Sequence, residues 1–337
     1  FYRLLSLIIF IVDIFFKKKK NLIVFSQKNR LFSDNSKALF IYILKHHKEF
    51  EVVWLVDTKK DKQKIYKSYK YKNIKVLWSI NGLKTYLNAR IVIISNSLHD
   101  VFPFCKTPNN KEVIQLWHGI NWSKKFEYPN NNFTKDVTIA CASSLENKKK
   151  MSKMNRFPLS KIYVTGLPRN DILFNKKKIV VPWKINKYLN NKIILYAPTH
   201  KESIVSDFFP FKDKNLSNFN VFLKKKKIIL FLRPHINDSN KINNEKGNNF
   251  FPYKFSNIKK LSFNEMQDIN EFLPFINILV TDYSTIYADA LLINIPTIFI
   301  PYDLKDYIKK RGLIYKYDEV AIGDKVYNQS QFINSIN

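Results

Sequence analysis

The sequence predicts an α/β protein of two domains, each built on a parallel sheet with helices on both faces. Three observations support this fold class. The chain has 337 residues, enough for two hydrophobic cores, and 45% of them are hydrophobic. Short apolar runs rich in β-branched residues recur along the chain, and helical patterns lie between several of them. A polar, proline-punctuated segment divides the runs into two series.

The first element is an apolar run of sixteen residues, FYRLLSLIIFIVDIFF, which contains Arg3 and Asp13 and is followed by four lysines. It is shorter than the ~20 residues of a membrane-spanning helix. It also lacks the small-residue cleavage site of a signal peptide. We expect residues 1–20 to form an interfacial helix associated with a membrane surface, with a helix of the ordinary core as the alternative.

The apolar runs predict seven strands in the first series and five in the second. The predicted strands are 22–26, 51–56, 74–78, 90–95, 112–117, 137–142, 161–165, 193–197, 227–232, 258–261, 278–281 and 297–300. Helical patterns cover 36–47, 144–154, 265–274 and 285–293. The predicted organisation is an N-terminal domain over 21–165, a linker over 166–190 and a C-terminal domain over 191–337. Because ligands of open parallel sheets bind beyond the carboxyl ends of the strands, we expect a functional cleft between the two domains.

The amino-acid composition favours some binding partners and cofactors over others. The net charge is +30, from 57 basic and 27 acidic residues, and the lysines occur in short runs along the whole chain. No nucleic-acid-binding module is recognisable, so an anionic membrane surface is a better candidate partner than nucleic acid. Cys105 and Cys141 lack metal-ligand spacing and are expected to be buried thiols. Glycine-rich phosphate loops and zinc-ligand patterns do not occur, so we predict neither a cofactor nor a metal.

Histidines follow three of the predicted strands, in VIQLWHG, IILYAPTHK and FLRPHIND. His118 precedes a glycine that allows close backbone approach, and an imidazole can accept a proton from a hydroxyl group near neutral pH. Arg233 and His235 alternate along an extended tail, and the planar fork of arginine matches phosphate oxygens. These patterns indicate His118 as a general base. They indicate His235 as a group that stabilises phosphate charge or protonates a leaving group.

The stretch VTDYSTIYADALL runs from a strand into a helix, with Ser284 and Thr285 at the junction. Backbone N–H groups at a helix start suit an anion, although a simple helix cap explains the two hydroxyl residues as well. Asp289 lies one helical turn beyond Thr285 and is expected on the same side. The predicted diphosphate site consists of Lys201, Arg233, His235, Ser284 and Thr285.

In their order along the chain, QLWHGI, GLPRND, YAPTHK, LRPH, VTDYSTIYADALL and YDLKDYIKKRGL resemble the CDP-glycerol glycerophosphotransferase family, over roughly residues 110–315. The resemblance implies a GT-B-like fold of two Rossmann-type domains at the cytoplasmic face of the cell membrane. It implies a role in teichoic acid or capsule polymer synthesis. An acceptor hydroxyl, on a lipid-linked acceptor or a growing polymer, would attack the glycerol-bearing phosphate of CDP-glycerol and release CMP.

By the same resemblance, His118 matches the catalytic base, and Arg233 and His235 match contacts of the donor phosphates. Ser284 and Thr285 match the phosphate-binding helix start. The remaining predicted substrate contacts are Gly119, Arg169, Thr199, Lys201, Asp282, Asp289, Asp303 and Arg311.

Two positions depart from the family pattern, which usually has arginine at Lys201 and often has proline at Ile236. The first change weakens a bidentate phosphate contact, and the second affects the shape of the loop. Three alternatives remain: CDP-ribitol or another CDP-polyol as donor, a GT-B glycosyltransferase using a nucleotide sugar, and a non-enzymatic basic scaffold. With about 110 residues before the first motif, we expect a priming enzyme or a fragment of a larger polymerase.

Overall fold

The computed structural model describes residues 2–27, 31–101, 110–119, 136–176, 179, 181, 183–200, 208–235, 238, 255–263 and 265–337. These residues form two compact units. The first contains the described residues up to His118 and from residue 136 to Ile172, and the second contains Gly119 and Leu173–Asn337. Each unit has its own parallel sheet, as the fold class predicted. The cleft between the domains stays a prediction.

The first unit is an open sheet with helices on its faces. Its elements are α1 (Tyr2–Phe15), β1 (Lys19–Phe25), α2 (Asp34–His46), β2 (Glu51–Val56), α3 (Lys59–Tyr69), β3 (Ile74–Val76), α4 (Ile80–Asn88), β4 (Ala89–Ile94), β5 (Glu112–Gln115), β6 (Ile139–Ala142), α5 (Leu145–Asn155) and β7 (Ile162–Val164). The strand order is β3-β2-β1-β4-β5-β6-β7, and every pair is parallel. The order reverses between β1 and β4, so the carboxyl ends of these strands mark the place where such sheets bind ligands.

The second unit repeats this plan. Its elements are α6 (Trp183–Asn186), β8 (Lys192–Tyr196), α7 (Leu216–Lys225), β9 (Ile228–Leu232), β10 (Ile258–Lys260), β11 (Ile278–Thr281), α8 (Ile286–Leu291), β12 (Thr297–Phe299), α9 (Leu304–Arg311), α10 (Tyr317–Val320), β13 (Asp324–Lys325) and α11 (Gln329–Ile336). The strand order is β10-β9-β8-β11-β12-β13, again parallel throughout. Here the order reverses between β8 and β11.

Burial on both faces of each sheet explains why the strands are nearly continuous apolar runs. In β1, Leu22 and Val24 belong to one hydrophobic cluster, whereas Ile23 and Phe25 belong to the cluster on the opposite face. This alternation follows from the two-residue repeat of a strand. Strand β8 divides its residues between two clusters in the same way.

All twelve predicted strands are present, with bounds shifted by a few residues at most. The helix predicted over 265–274 is wrong: Ile269–Glu271 and Leu273–Phe275 are separate 3-10 turns. The side chain of Asp268 accepts from the Asn270 amide, and Pro274 has no amide hydrogen to continue a helix. Strand β13 was not predicted, because two residues are too few to show a pattern.

Helix α1 is shorter than predicted, because it ends at Phe15 and Lys19 already begins β1. Its inner face buries Asp13, which is 1% exposed. The Oδ1 atom of Asp13 accepts from Lys18 Nζ at 2.5 Å and from Lys111 Nζ. Both ammonium groups also donate to the Leu87 carbonyl at the end of α4, at 2.7 and 3.2 Å. This shared ion pair attaches α1 to the sheet unit.

The outer face of α1 exposes large apolar side chains. They are Leu4, Leu7, Ile8, Ile11, Val12, Ile14 and Phe15, with exposures from 38% to 83%. Within the described part of the chain, no helix has the length and apolarity needed to cross a membrane.

Burial lowers the pKa of Lys111 to about 7; the carboxylate of Asp13 opposes this shift, and repulsion from Lys18 adds to it. The unfolded chain, with an ordinary lysine pKa of about 10.4, therefore binds more protons between pH 7 and 10. Stability should rise with pH in this window. Between pH 7 and 9, we expect the unfolding free energy of the wild type to increase by about 2 kcal/mol more than that of Lys111→Met, as measured by urea titration. The exposed control Lys153→Met should show the same increase in unfolding free energy as the wild type. Equal increases in all three proteins would show that Lys111 does not cause the pH dependence.

Candidate functional site

His118 follows β5 and is oriented by the end of the neighbouring strand β4. Its Nδ1 atom lies 3.2 Å from the carbonyl oxygen of Ser95. Because a carbonyl can only accept, Nδ1 holds a proton, and whenever the ring is neutral Nε2 is its acceptor nitrogen. The Ser95 amide donates to the Asp100 carboxylate at 2.9 Å, which fixes the position of this strand end. His118 therefore has the tautomer that a general base requires.

The backbone around His118 adopts an uncommon conformation. Trp117 has φ 63° and Gly119 has φ 149°, both in the region that favours glycine. The Nδ2 atom of Asn35, in α2, donates to the Trp117 carbonyl at 2.8 Å. Arg169, which follows β7, donates from Nη1 to the His118 carbonyl at 3.0 Å. Side chains from two other elements thus hold the loop that presents the imidazole.

Arg169 is a buried residue whose guanidinium is ion-paired within the first unit. Its Nη1 lies 3.0 Å from Asp34 Oδ1, and its amide donates to the Asn35 side chain at 3.0 Å. Gln27, after β1, donates to the other carboxylate oxygen of Asp34 at 3.1 Å. Although Arg169 was assigned to the predicted linker, it packs in the first unit. Its predicted contact with substrate stays a prediction.

In the second unit, Asp282 joins the two strand ends between which the strand order reverses. Its Oδ1 atom accepts from the Thr199 amide, after β8, at 2.8 Å and from the Tyr283 amide at 2.6 Å. Both Asp282 and Thr199 are buried. The Tyr317 hydroxyl donates to the Asp282 carbonyl at 2.9 Å. The two predicted site residues are thus in direct contact beyond β8 and β11.

Two predicted site residues lie at the ends of α9: Asp303 directly before the helix and Arg311 at its last position. Asp303 is the residue before the helix, and its Oδ1 accepts from the Tyr283 hydroxyl at 3.1 Å. The Tyr283 ring stacks on Tyr307 with centroids 4.0 Å apart. Burial, reinforced by the nearby carboxylates, raises the pKa of both tyrosines, so their hydroxyls stay protonated. Arg311 is exposed in the last turn of α9.

Arg233 follows β9 directly and is buried. Its guanidinium carbon lies 3.6 Å from the ring centroid of Phe263, and Nη1 donates to the Leu261 carbonyl at 3.2 Å. Burial lowers the pKa of Arg233 to about 9, against the opposing effect of Asp268, so the side chain stays charged at neutral pH. Contact with a donor phosphate stays a prediction.

His235 is half-buried and contacts a second histidine. Its ring stacks on His200, with centroids 5.0 Å apart and planes inclined by 21°. The Nδ1 atom of His200 is 2.7 Å from Oδ1 of the buried Asp238, whose amide donates to the His235 carbonyl at 3.0 Å. Sequence alone places His200 after a strand without giving it a role, and gives none to Asp238. His235 and Asp238 lie three residues apart in the sequence. This short spacing is the signal that could have indicated that the two residues contact each other.

The helix start predicted to bind phosphate is α8, a helix of six residues. Thr285 precedes it, but the Thr285 side chain makes no capping hydrogen bond, so the expected hydroxyl cap is absent there. Ser284 is half-buried, and Asp289 is buried within the helix. Lys201 lies outside the described residues. The anion site at this helix start stays a prediction.

Among the residues that the structure describes, no group of three or more His, Cys, Asp or Glu side chains could hold a metal ion. Cys141 is a free buried thiol, and burial raises its pKa. Cys105 lies outside the described residues.

The model of a protein family described as CDP-Glycerol:Poly(glycerophosphate) glycerophosphotransferase matches residues 8–337. The chain belongs to this family. It is 27% identical to the teichoic acid poly(ribitol-phosphate) polymerase of Bacillus spizizenii, over 98% of this chain and 53% of the relative. It is also 27% identical to the teichoic acid glycerol-phosphate transferase of Staphylococcus aureus, over 94% of this chain and 83% of the relative. The chain thus spans about half the length of the first relative.

Solved structures show the same fold. The wall teichoic acid polymerase TagF has a TM-score of 0.71 at 19% identity, over 97% of this chain and 82% of that protein. A variant of TagF soaked with CDPG has a TM-score of 0.73 at 19% identity, over the same shares. These likenesses support a GT-B-like α/β fold with parallel sheets. The family match confirms the predicted family, whose description names glycerophosphate transfer from CDP-glycerol.

The ion pair between Arg169 and Asp34 should stabilise the first unit and the His118 loop. Asp34→Asn retains a residue that tolerates the observed φ of 65° but removes the charge beside a buried guanidinium. We expect a loss of about 2–3 kcal/mol in the free energy of unfolding, measured by urea titration. The control Asp171→Asn, at an exposed position of the same segment, should change the free energy little. Equal stability of Asp34→Asn and wild type would show that the pair contributes nothing.

Proposed function

We propose that the chain transfers glycerol phosphate from CDP-glycerol to a hydroxyl of a lipid-linked acceptor or growing polymer and releases CMP. Membership of the family supports the donor class. The single observation that carries the assignment of roles is the hydrogen bond between His118 Nδ1 and the Ser95 carbonyl. It leaves Nε2 as the nitrogen that can receive the proton of the acceptor hydroxyl. CDP-ribitol is the second candidate donor, because a ribitol-phosphate polymerase is similar over nearly the whole chain.

In this reaction the acceptor oxygen forms a bond to the glycerol-bearing phosphorus. The bond from that phosphorus to the bridging oxygen breaks, and its electron pair leaves with CMP. His118 takes the hydroxyl proton, while protein cations stabilise the charge of the donor phosphates. We assign this second task to His235 and Arg233, and we propose no cofactor or metal. The further proposed substrate contacts are Gly119, Arg169, Thr199, Lys201, Asp282, Ser284, Thr285, Asp289, Asp303 and Arg311.

The test is CMP release by the purified protein with CDP-glycerol and with CDP-ribitol, each with a lipid-linked acceptor. We expect His118→Gln to lower kcat by about 10²- to 10⁴-fold, since the variant lacks the basic nitrogen. The matched control His47→Gln, at an exposed histidine, should keep wild-type activity. If His118→Gln were as active as the wild type, His118 would not be the base. Thermal stabilisation by UDP-sugars, and not by either CDP-polyol, would instead favour a glycosyltransferase.

We further propose that the chain associates peripherally with the cytoplasmic face of the cell membrane through α1. The seven exposed apolar side chains of this helix form one face, and Lys17 and Lys20 are exposed just beyond its end. Apolar side chains of an interfacial helix enter the acyl boundary while neighbouring lysines attract anionic head groups. Lys18 does not take part, since its ammonium group is paired with Asp13.

Substitutions on the outer face of α1 test this association while they leave Asp13 and the buried Ile9 in place. We expect Leu7→Asp together with Ile11→Asp to lower binding to phosphatidylglycerol vesicles by at least about tenfold, because two exposed apolar side chains that would enter the bilayer are replaced by charges. Co-sedimentation with vesicles is the measurement. Ile322→Asp, at an exposed apolar residue of the second unit, is the control and should bind as the wild type does. Unchanged binding of the double variant would rule out α1 as the membrane contact.

A further inference from the structure

His200, His235 and Asp238 form a closed set of contacts at one end of the second sheet. The Asp238 amide donates to the His235 carbonyl at 3.0 Å, and Asp238 Oδ1 lies 2.7 Å from His200 Nδ1. The ring of His200 then stacks on the ring of His235, with centroids 5.0 Å apart. Each of the three residues therefore contacts both of the others.

The contacts bring together two loops that leave adjacent strands. Strands β8 and β9 pair in parallel with Tyr196 opposite Leu232, so His200 and His235 lie four and three residues beyond paired positions. His200 also directly follows Thr199, whose amide is bonded to Asp282. The histidine pair is therefore connected to the strand ends at which the second sheet is expected to bind ligands.

Burial indicates which contact holds the set together. The side chain of Asp238 is completely buried, and that of His200 is 17% exposed. A buried carboxylate requires a hydrogen-bond donor, and here the N–H at Nδ1 of His200 supplies it. This bond fixes both the tautomer and the orientation of the His200 ring. Stacking on the fixed ring in turn restricts rotation of the His235 side chain.

We propose that His200 and Asp238 are positioning residues for His235 in the phosphotransfer reaction. This inference rests on the proposed function, in which His235 contacts the donor phosphates. Asp238 orients His200 through Nδ1, and His200 holds the His235 imidazole in one rotamer against its own ring. A pre-oriented donor of hydrogen bonds loses less entropy when phosphate charge develops in the transition state. His200 and Asp238 therefore affect turnover through the orientation of His235.

The kinetic test is a double-mutant cycle on CMP release from CDP-glycerol. We expect His200→Asn, which keeps a polar group but lacks the ring, to lower kcat by about tenfold to 100-fold with little change in KM. Asp238→Asn, which preserves the shape of the side chain, should have a smaller effect in the same direction. In a His235→Asn background, His200→Asn should lower kcat less than about threefold further, because its effect passes through His235. The proposal would be overturned if the double variant lost kcat by the product of the two single-variant losses. An unchanged kcat in His200→Asn would also overturn it.

A second readout does not depend on activity. The chain has six histidines, so a spectrum of protein labelled with ¹³C-histidine contains six imidazole signals, and His235→Asn identifies that of His235. We expect both variants to shift the His235 signal, because His200→Asn removes the ring current of the stacked ring and Asp238→Asn removes the contact that holds this ring in place. His47→Gln should leave it in place. A signal that stays unmoved in both variants would refute the positioning role. Absence of CMP release from every donor, together with a shifted signal, would refute the proposed function alone.

Discussion

The hydrogen bond from His118 Nδ1 to the Ser95 carbonyl decides what the imidazole can do, because it selects which ring nitrogen holds the proton. The neighbouring contacts preserve that geometry. Asp100 fixes the Ser95 amide, and Arg169 and Asn35 hold the carbonyl groups on either side of the imidazole. The loop after β5 thereby tolerates an unusual backbone, and Nε2 is the acceptor nitrogen of the neutral ring.

In this strongly basic chain, carboxylates beyond the strand ends contact positive groups and amide hydrogens. Asp34 receives the guanidinium of Arg169, Asp100 and Asp282 receive backbone amides, and Asp238 receives an imidazole. All four lie beyond the carboxyl ends of parallel strands in their own unit. Each carboxylate thus fixes the position of a cation, an imidazole or a backbone amide near the end of a strand.

The strands and their parallel arrangement could be predicted because burial on both faces leaves a nearly continuous apolar run. The pattern failed over 265–274, where two 3-10 turns give the same spacing of apolar residues as one helix. The position of His118 after a strand and beside a glycine could be predicted from the sequence. The orientation of its ring could not, since Ser95 lies 23 residues away in the sequence.

Contacts between distant segments limited the assignment of roles in the second unit as well. The sequence suggested Arg233 as a phosphate ligand, but it could not show that Phe263 and the Leu261 carbonyl contact the guanidinium. The contact of His200 with Asp238 arises because β8 and β9 are neighbours in the sheet. Local patterns identify residue types that suit a reaction, whereas the packing of strands determines which of them meet.

The ion pair beneath α1 connects this helix to the central sheet of the first unit. Asp13 belongs to the helix, and Lys111 directly precedes β5, the strand that leads to His118. The helix is thus joined to the residue before β5 by a buried side-chain contact. A substitution at Asp13 would therefore disturb Lys111 and the start of β5 as well as the helix itself.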